Sequence, residues 1–261
     1  MIAFDVIGTG KPVLFLHSGL ADRNMWEPQL PAFAARFTCY AIDLPGYGKS
    51  SSPTEPFSYP VEIARFIEET IGSSAALVGS SYGATQAFLT ALGAPQWTGP
   101  LVLTSTAVMM PEQHSPELEA VWTEADAAWE RGEKDLANKI EIESWVDGKG
   151  RRPRPAAPHV RDYFFNVNRT IWDRHSANPL PEQLPGPKIA PERILQPVLL
   201  IDGLADFPDV LASNQALLQR LPNATYVSIA EAAHFPSYEQ PEEFNEIALD
   251  FLERTWGANA G

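Results

Sequence analysis

Short apolar runs recur along the chain at 13–17, 38–43, 75–79, 101–104, 198–202 and 225–229. Runs that are apolar almost without alternation fit strands buried on both faces, as in a parallel sheet. A further strand at 2–7 is expected at the sheet edge, followed by a turn through Gly8 and Gly10. Between the runs the apolar period lengthens to that of a helix. Residues 82–92 bring Ala84, Ala87, Phe88, Ala91 and Leu92 to one face, with Gly93 as the stop. Residues 210–221 do the same with Val210, Leu211, Leu217, Leu218 and Leu221, and Pro222 ends them. Residues 241–254 open on Pro-Glu-Glu, which suits a helix N-terminus, and turn Phe244, Ile247, Ala248, Phe251 and Leu252 inward. Strand, helix and strand in succession predict right-handed crossovers and an α/β layered fold.

The alternation lapses between 107 and 192. Ser115 opens a helix carrying Leu118, Val121, Trp122, Ala125 and Trp129, and Gly132 closes it. Residues 135–145 and 163–174 read as two more helices, and prolines from Pro111 and between 179 and 191 bracket the stretch. The expected organisation is a core of 1–106 and 193–261 interrupted by a helical cap at 107–192.

Composition narrows what such a chain does. With 261 residues, 44% hydrophobic and 20% charged, it can bury a substantial single core. A formal net charge of -14 speaks against a nucleic-acid partner. The one basic cluster, Arg151-Arg152-Pro153-Arg154, lies among prolines and reads as a solvated loop. Cys39 is the only cysteine, so no intramolecular disulfide forms, and its apolar neighbours make it a core residue. The N-terminus lacks a signal-peptide pattern, and no apolar run approaches the ~20 residues that cross a bilayer. A soluble, cytoplasmic protein without membrane attachment is expected; nothing in the sequence speaks to its oligomeric state.

Candidate chemistry centres on Gly79-Ser80-Ser81-Tyr82-Gly83, a G-x-S-x-G stretch between an apolar run and an amphipathic helix. A serine presented on a sharp turn needs small flanking residues, and the helix N-terminus behind it favours developing negative charge. Ser81 is then the nucleophile and Ser80 a spacer. A serine needs a base, and the base an orienting acid. His234 lies just past the run at 225–229, and Asp202, Asp206 and Asp209 cluster at the end of the run at 198–202. Asp202 is read as strand and Asp209 as a helix start, which leaves Asp206 as the acid. The order Ser, Asp, His is that of the α/β-hydrolase arrangement. His114, His159 and His175 fall in the inserted stretch and are read as solvated or packing residues. His17 closes the run at 13–17 and is read as a loop brace. Amides of Gly19 and Tyr82 are the candidate oxyanion donors.

These stretches resemble the α/β-hydrolase superfamily over essentially the whole length. The resemblance is carried by LHSGLADRNMW at 16–26, DLPGYGKS at 43–50, LVGSSYGAT at 77–85, LLIDGLADFPD at 199–209 and EAAHFPSYEQPEEFNEIALDFL at 231–252. It implies a mostly parallel sheet of seven or eight strands flanked by helices, with an inserted cap. Ser18 departs from the glycine such members usually carry after the histidine. A serine nucleophile sets the chain apart from haloalkane dehalogenases and epoxide hydrolases, which use aspartate. Phe235 stands where carbon–carbon hydrolases of ring-cleavage products typically have tryptophan, and GSSYG differs from the G-G-S-W-G of proline iminopeptidases.

What remains is a serine hydrolase of small to medium, largely apolar esters or lactones, similar to enol-lactonases, needing neither metal nor cofactor. Leu20, Trp122, Trp129, Trp145, Phe207 and Phe235 are candidate pocket residues. The rival readings are a small-molecule receptor on a hydrolase scaffold, a perhydrolase or acyltransferase, and a carbon–carbon bond hydrolase with the same triad.

Overall fold

The computed structural model describes residues 1–148 and 150–257. Seven strands form one sheet: β1 (Phe4–Ile7), β2 (Pro12–Leu16), β3 (Thr38–Ile42), β4 (Ala75–Ser80), β5 (Thr98–Thr104), β6 (Val198–Gly203) and β7 (Ala224–Ile229). Their order is β1-β3-β2-β4-β5-β6-β7. Only β1 runs antiparallel, pairing Phe4 with Ile42 at the edge. The other pairs are parallel, with Leu16 opposite Gly79 and Ser80 opposite Thr104. Of the expected seven or eight strands, the described residues form seven.

Alternate side chains of each strand go to opposite faces. Val13 and Phe15 join Val78, Val102 and Ile201 in one buried cluster, which the C-terminal helix seals with Phe244, Ala248, Phe251 and Leu252. Leu14 and Leu16 join Leu77, Leu101, Leu103 and Leu200 in the other. That double burial is why the runs lack polar alternation.

The helices are α1 (Leu30–Ala34), α2 (Tyr59–Phe66), α3 (Tyr82–Gly93), α4 (Pro116–Glu130), α5 (Lys134–Glu141), α6 (Pro158–Ala177), α7 (Pro208–Arg220), α8 (Pro236–Glu239) and α9 (Pro241–Thr255). The first two are too short to show a helical period in the sequence. The stretch read as one helix at 135–145 is two pieces, α5 and a wider π-turn over Ile142–Val146. Ser115 caps α4, its hydroxyl accepting from the Leu118 amide at 3.2 Å. Helices α4 to α6 stand over the C-terminal ends of the strands, where Phe164 stacks on Phe235 at 4.1 Å. Cys39 is buried in the core. Among the described residues no helix is long and apolar enough to cross a membrane.

Candidate active site

Strand β4 ends at Ser80 and α3 begins at Tyr82, so Ser81 alone makes the turn, at φ 53° and ψ -113°. Positive φ is strained for a residue with a side chain and persists only where the surroundings impose it. Here the imposition is visible. The Ser81 amide donates to the Thr104 carbonyl at 2.8 Å, and its carbonyl accepts from the Thr85 amide at 3.0 Å. A Cβ on Gly79 would lie 2.6 Å from the Ala84 Cα, and one on Gly83 2.2 Å from the Leu16 carbonyl oxygen. Both positions admit only glycine. Ser80 is buried and its hydroxyl has no hydrogen-bond partner, as suits a spacer.

The three residues singled out from sequence meet. His234 Nε2 lies 2.8 Å from Ser81 Oγ, and His234 Nδ1 lies 2.7 Å from Asp206 Oδ2. The other Asp206 oxygen accepts from the Phe207 amide at 2.7 Å, so the carboxylate is held at both ends. An ionised carboxylate only accepts, which assigns the proton to Nδ1 and leaves Nε2 to accept from the serine hydroxyl. Asp209 turns away: it accepts from the Ser115 amide at 2.7 Å and faces His114 at 3.8 Å. Asp202 lies behind, fully buried, accepting from Asn214 Nδ2 at 2.5 Å. Burial, and then the charge of Asp206, push its carboxyl up to about 8.

On the opposite side the loop after β2 brings Gly19 against α3, where an added Cβ would touch the Tyr82 Cβ at 3.6 Å. Tyr82 is the first residue of α3, and its N–H has no acceptor within the helix. His17 is buried; its Nε2 accepts from the Leu44 amide at 2.9 Å and its Nδ1 lies 2.8 Å from the Ser18 carbonyl. Burial pulls its pKa below the usual histidine value, so the ring is a neutral brace between two loops. The second loop folds around Asp43, which accepts from the amides of Arg23 at 2.9 Å and Lys49 at 2.7 Å. Gly48, at φ +46°, has its Cα so close to that carboxylate that a Cβ would overlap it. The Ser18 amide points at Met25 Sδ, 3.3 Å away, and its buried hydroxyl is unpartnered.

Above Ser81 lies a cavity of about 370 Å³. Of the residues named from sequence, Leu20, Trp122 and Trp145 line it. Trp129, Phe207 and Phe235 do not. Trp129 lines a neighbouring cavity with Trp172, Phe207 is buried beneath Trp145 at 4.5 Å, and Phe235 is buried against Phe164. Sequence reasoning missed Tyr47, Met110, His114 and Glu141, all in the cavity wall.

A model of the alpha/beta hydrolase family matches residues 13–247. The chain belongs to that family. It is 29% identical to a 2-hydroxy-6-oxononadienedioate/2-hydroxy-6-oxononatrienedioate hydrolase of Paraburkholderia phymatum, over 96% of this chain and 90% of that one. It is 25% identical to carboxylesterase YbfK of Bacillus subtilis, over 92% and 79%. The solved structure of Est816, described as an N-acyl homoserine lactone degrading enzyme, superposes with a TM-score of 0.74 at 25% identity, covering 96% of each chain.

In this alpha/beta hydrolase, arginines tie the segment around helices α4 to α6 to the loops after β6 and β7. The basic cluster read as a solvated loop is a pair of braces. The Arg151 guanidinium lies 3.7 Å over the Phe207 ring, donates to the Ala205 carbonyl at 2.9 Å, and also bonds the Ser144 carbonyl and Glu117. Arg152 donates to the carbonyls of Asp147 and Val146, each at 2.7 Å, and to Glu239 at 2.7 Å. Glu239 in turn accepts from the amides of Ala233 and Phe235 on either side of His234. Arg154 is exposed. The loops bearing Asp206 and His234 are therefore each fastened to the segment between α5 and α6 by one arginine. Trp145 adds a direct contact: its ring packs on His234 at 4.5 Å, and its carbonyl accepts from the His234 amide at 3.2 Å.

Proposed function

We propose that the protein is a serine hydrolase of carboxylic esters or lactones that works through an acyl-enzyme. The observation that carries this reading is the line from Asp206 Oδ2 to His234 Nδ1 (2.7 Å) and from His234 Nε2 to Ser81 Oγ (2.8 Å) beneath the cavity. Ser81 Oγ attacks the carbonyl carbon as His234 takes its proton. Asp206 holds the ring in the needed tautomer and stabilises the imidazolium. The Gly19 and Tyr82 amides receive the oxyanion, helped by the N-terminus of α3. His234 then hands its proton to the departing alkoxide. It next activates a water that attacks the acyl carbon, and Ser81 leaves with its proton restored. In this reading segment 107–192 is a cap that roofs the pocket and excludes water.

A fluorophosphonate probe followed by peptide mass spectrometry tests the assignment, expected to label Ser81 and not Ser80. Ser81→Ala should remove hydrolysis of p-nitrophenyl butyrate by a factor of about 10⁶. Labelling elsewhere, or near-native turnover in folded Ser81→Ala, would overturn the proposal.

A further inference from the structure

The cavity over Ser81 holds a charge that ester hydrolysis does not require. Among the described residues, Glu141 is, apart from the histidines, the one ionic side chain in the lining, which includes neither lysine nor arginine. Glu141 ends α5, is partly buried, and borders the cavity together with Trp145, four residues on. Trp145 in turn packs on His234. The carboxylate thus lies on the imidazole's side of the pocket, near enough for its charge to act on that of His234. In the proposed mechanism that side holds the leaving alcohol, because His234 protonates it.

Behind Glu141 lies a second cavity of about 390 Å³, which Glu141 also borders. Asp126, Trp129 and Trp172 line it, again without lysine or arginine among the described residues. The two indoles meet nearly at right angles, centroids 5.0 Å apart. Lys134, outside that lining, sits 4.8 Å over the Trp129 ring and pairs with Asp173 at 3.3 Å. Carboxylates beside indole rings attract cations and repel anions.

Resting on the esterase reading, we infer that Glu141 is a specificity-determining residue: the pocket takes esters of amino alcohols, with the ammonium group beside Glu141, and turns away esters whose alcohol carries a carboxylate. The selectivity depends on pH. Burial, and secondarily Asp126, raise the Glu141 carboxyl to about 7, against the pull of the Trp145 indole and His234. Other titratable groups face it as well. These are His114 across the pocket, His175 across the second cavity, and the phenols of Tyr47 and Tyr82, which burial lifts above the usual tyrosine range. Glu141 is neutral well below pH 7 and anionic above it, so discrimination grows as pH rises through about 7.

The test uses three esters of fixed charge and similar size: butyrylcholine, its uncharged analogue 3,3-dimethylbutyl butyrate, and 3-butyryloxypropanoate. Butyrate release gives kcat/KM between pH 5.5 and 8.5. His234 serves all three, so its titration cancels in the ratio of the cationic to the anionic ester. That ratio should exceed about tenfold at pH 8.5, fall toward pH 5.5 with a midpoint near 7, and drop about tenfold and flatten in Glu141→Gln. The wild-type profile decides the matter even where the variant does not fold. A wild-type ratio near one or favouring the anion, or one unchanged in folded Glu141→Gln, overturns the inference. If the wild type cleaves the neutral ester without sorting the charged pair, the inference alone fails. If it cleaves none, the esterase reading fails and takes the inference with it.

Discussion

Below the pocket, backbone packs on backbone; above it, long side chains reach across open distance. The floor is set by Gly79 and Gly83, where an added Cβ would sit 2.6 Å or less from neighbouring main chain. The roof is held by Arg151, Arg152 and Trp145, whose tips meet the loops bearing Asp206 and His234. A backbone contact has few ways to give, whereas a side-chain brace can be lost and the chain still fold. The two regions therefore differ in what a substitution breaks: fold and chemistry together below, alignment and selectivity above.

The largest contrast lies between two aspartates three residues apart. Asp206→Asn should lower kcat by about 10⁴-fold, because the amide cannot hold the Nδ1–H tautomer or support an imidazolium. Asp209→Asn should change turnover little and lower stability by about 1 kcal/mol, through its bond to the Ser115 amide. Steady-state kinetics on p-nitrophenyl butyrate separates them, and a greater kcat loss at Asp209 would reverse the assignment. Gly83→Ala should follow. Its methyl would meet the Leu16 carbonyl, and we expect a loss of about 3 kcal/mol or failure to fold, read from urea denaturation.

The floor was legible because its signals are local. G-x-S-x-G, a strand before it and a helix after it fix where Ser81 stands, and Asp206 and His234 follow two later strand ends. The roof was not, because a helical period says which face is apolar but not where a helix lands. Trp122 and Trp129 share a stripe on α4, yet two turns separate them by about 10 Å, enough to place them in different cavities. Phe207 and Phe235 follow Asp206 and His234 directly, and immediate neighbours in a turn point apart, so both went into the core. Arg151 and Arg152 looked solvated because their partners, Ala205, Phe207 and Glu239, lie more than fifty residues away.

The braces can be tested singly. Arg152→Met would leave Glu239, whose side chain is 3% exposed, without a counter-charge, at a cost of about 3 kcal/mol. The histidine loop would loosen with it, and kcat should fall by up to about 100-fold as His234 loses its alignment. Arg151→Met should cost less, about 1 kcal/mol, since its partner Glu117 is 43% exposed and screened by water. Thermal unfolding and kinetics on both variants check the order; equal effects would mean that the two arginines are not separate fastenings.

A pH-dependent effect tests the floor again, through Asp202. Its folded pKa of about 8 lies above the usual carboxylate value of 3.8. Between those values the native state holds a proton that the unfolded chain has released, so raising the pH through this window lowers stability. The slope from one such group is at most about 1.4 kcal/mol per pH unit. Asn keeps the shape and cannot ionise, so Asp202→Asn should lose less stability than the wild type between pH 5 and 8. Glu141 and other groups add slope to both proteins equally, which leaves the difference to Asp202. Urea midpoints at pH 5, 6, 7 and 8 measure it, and parallel profiles would show Asp202 ionised throughout. A neutral Asp202 places no second negative charge beside Asp206, whose nearness is one of the causes that raise the Asp202 carboxyl.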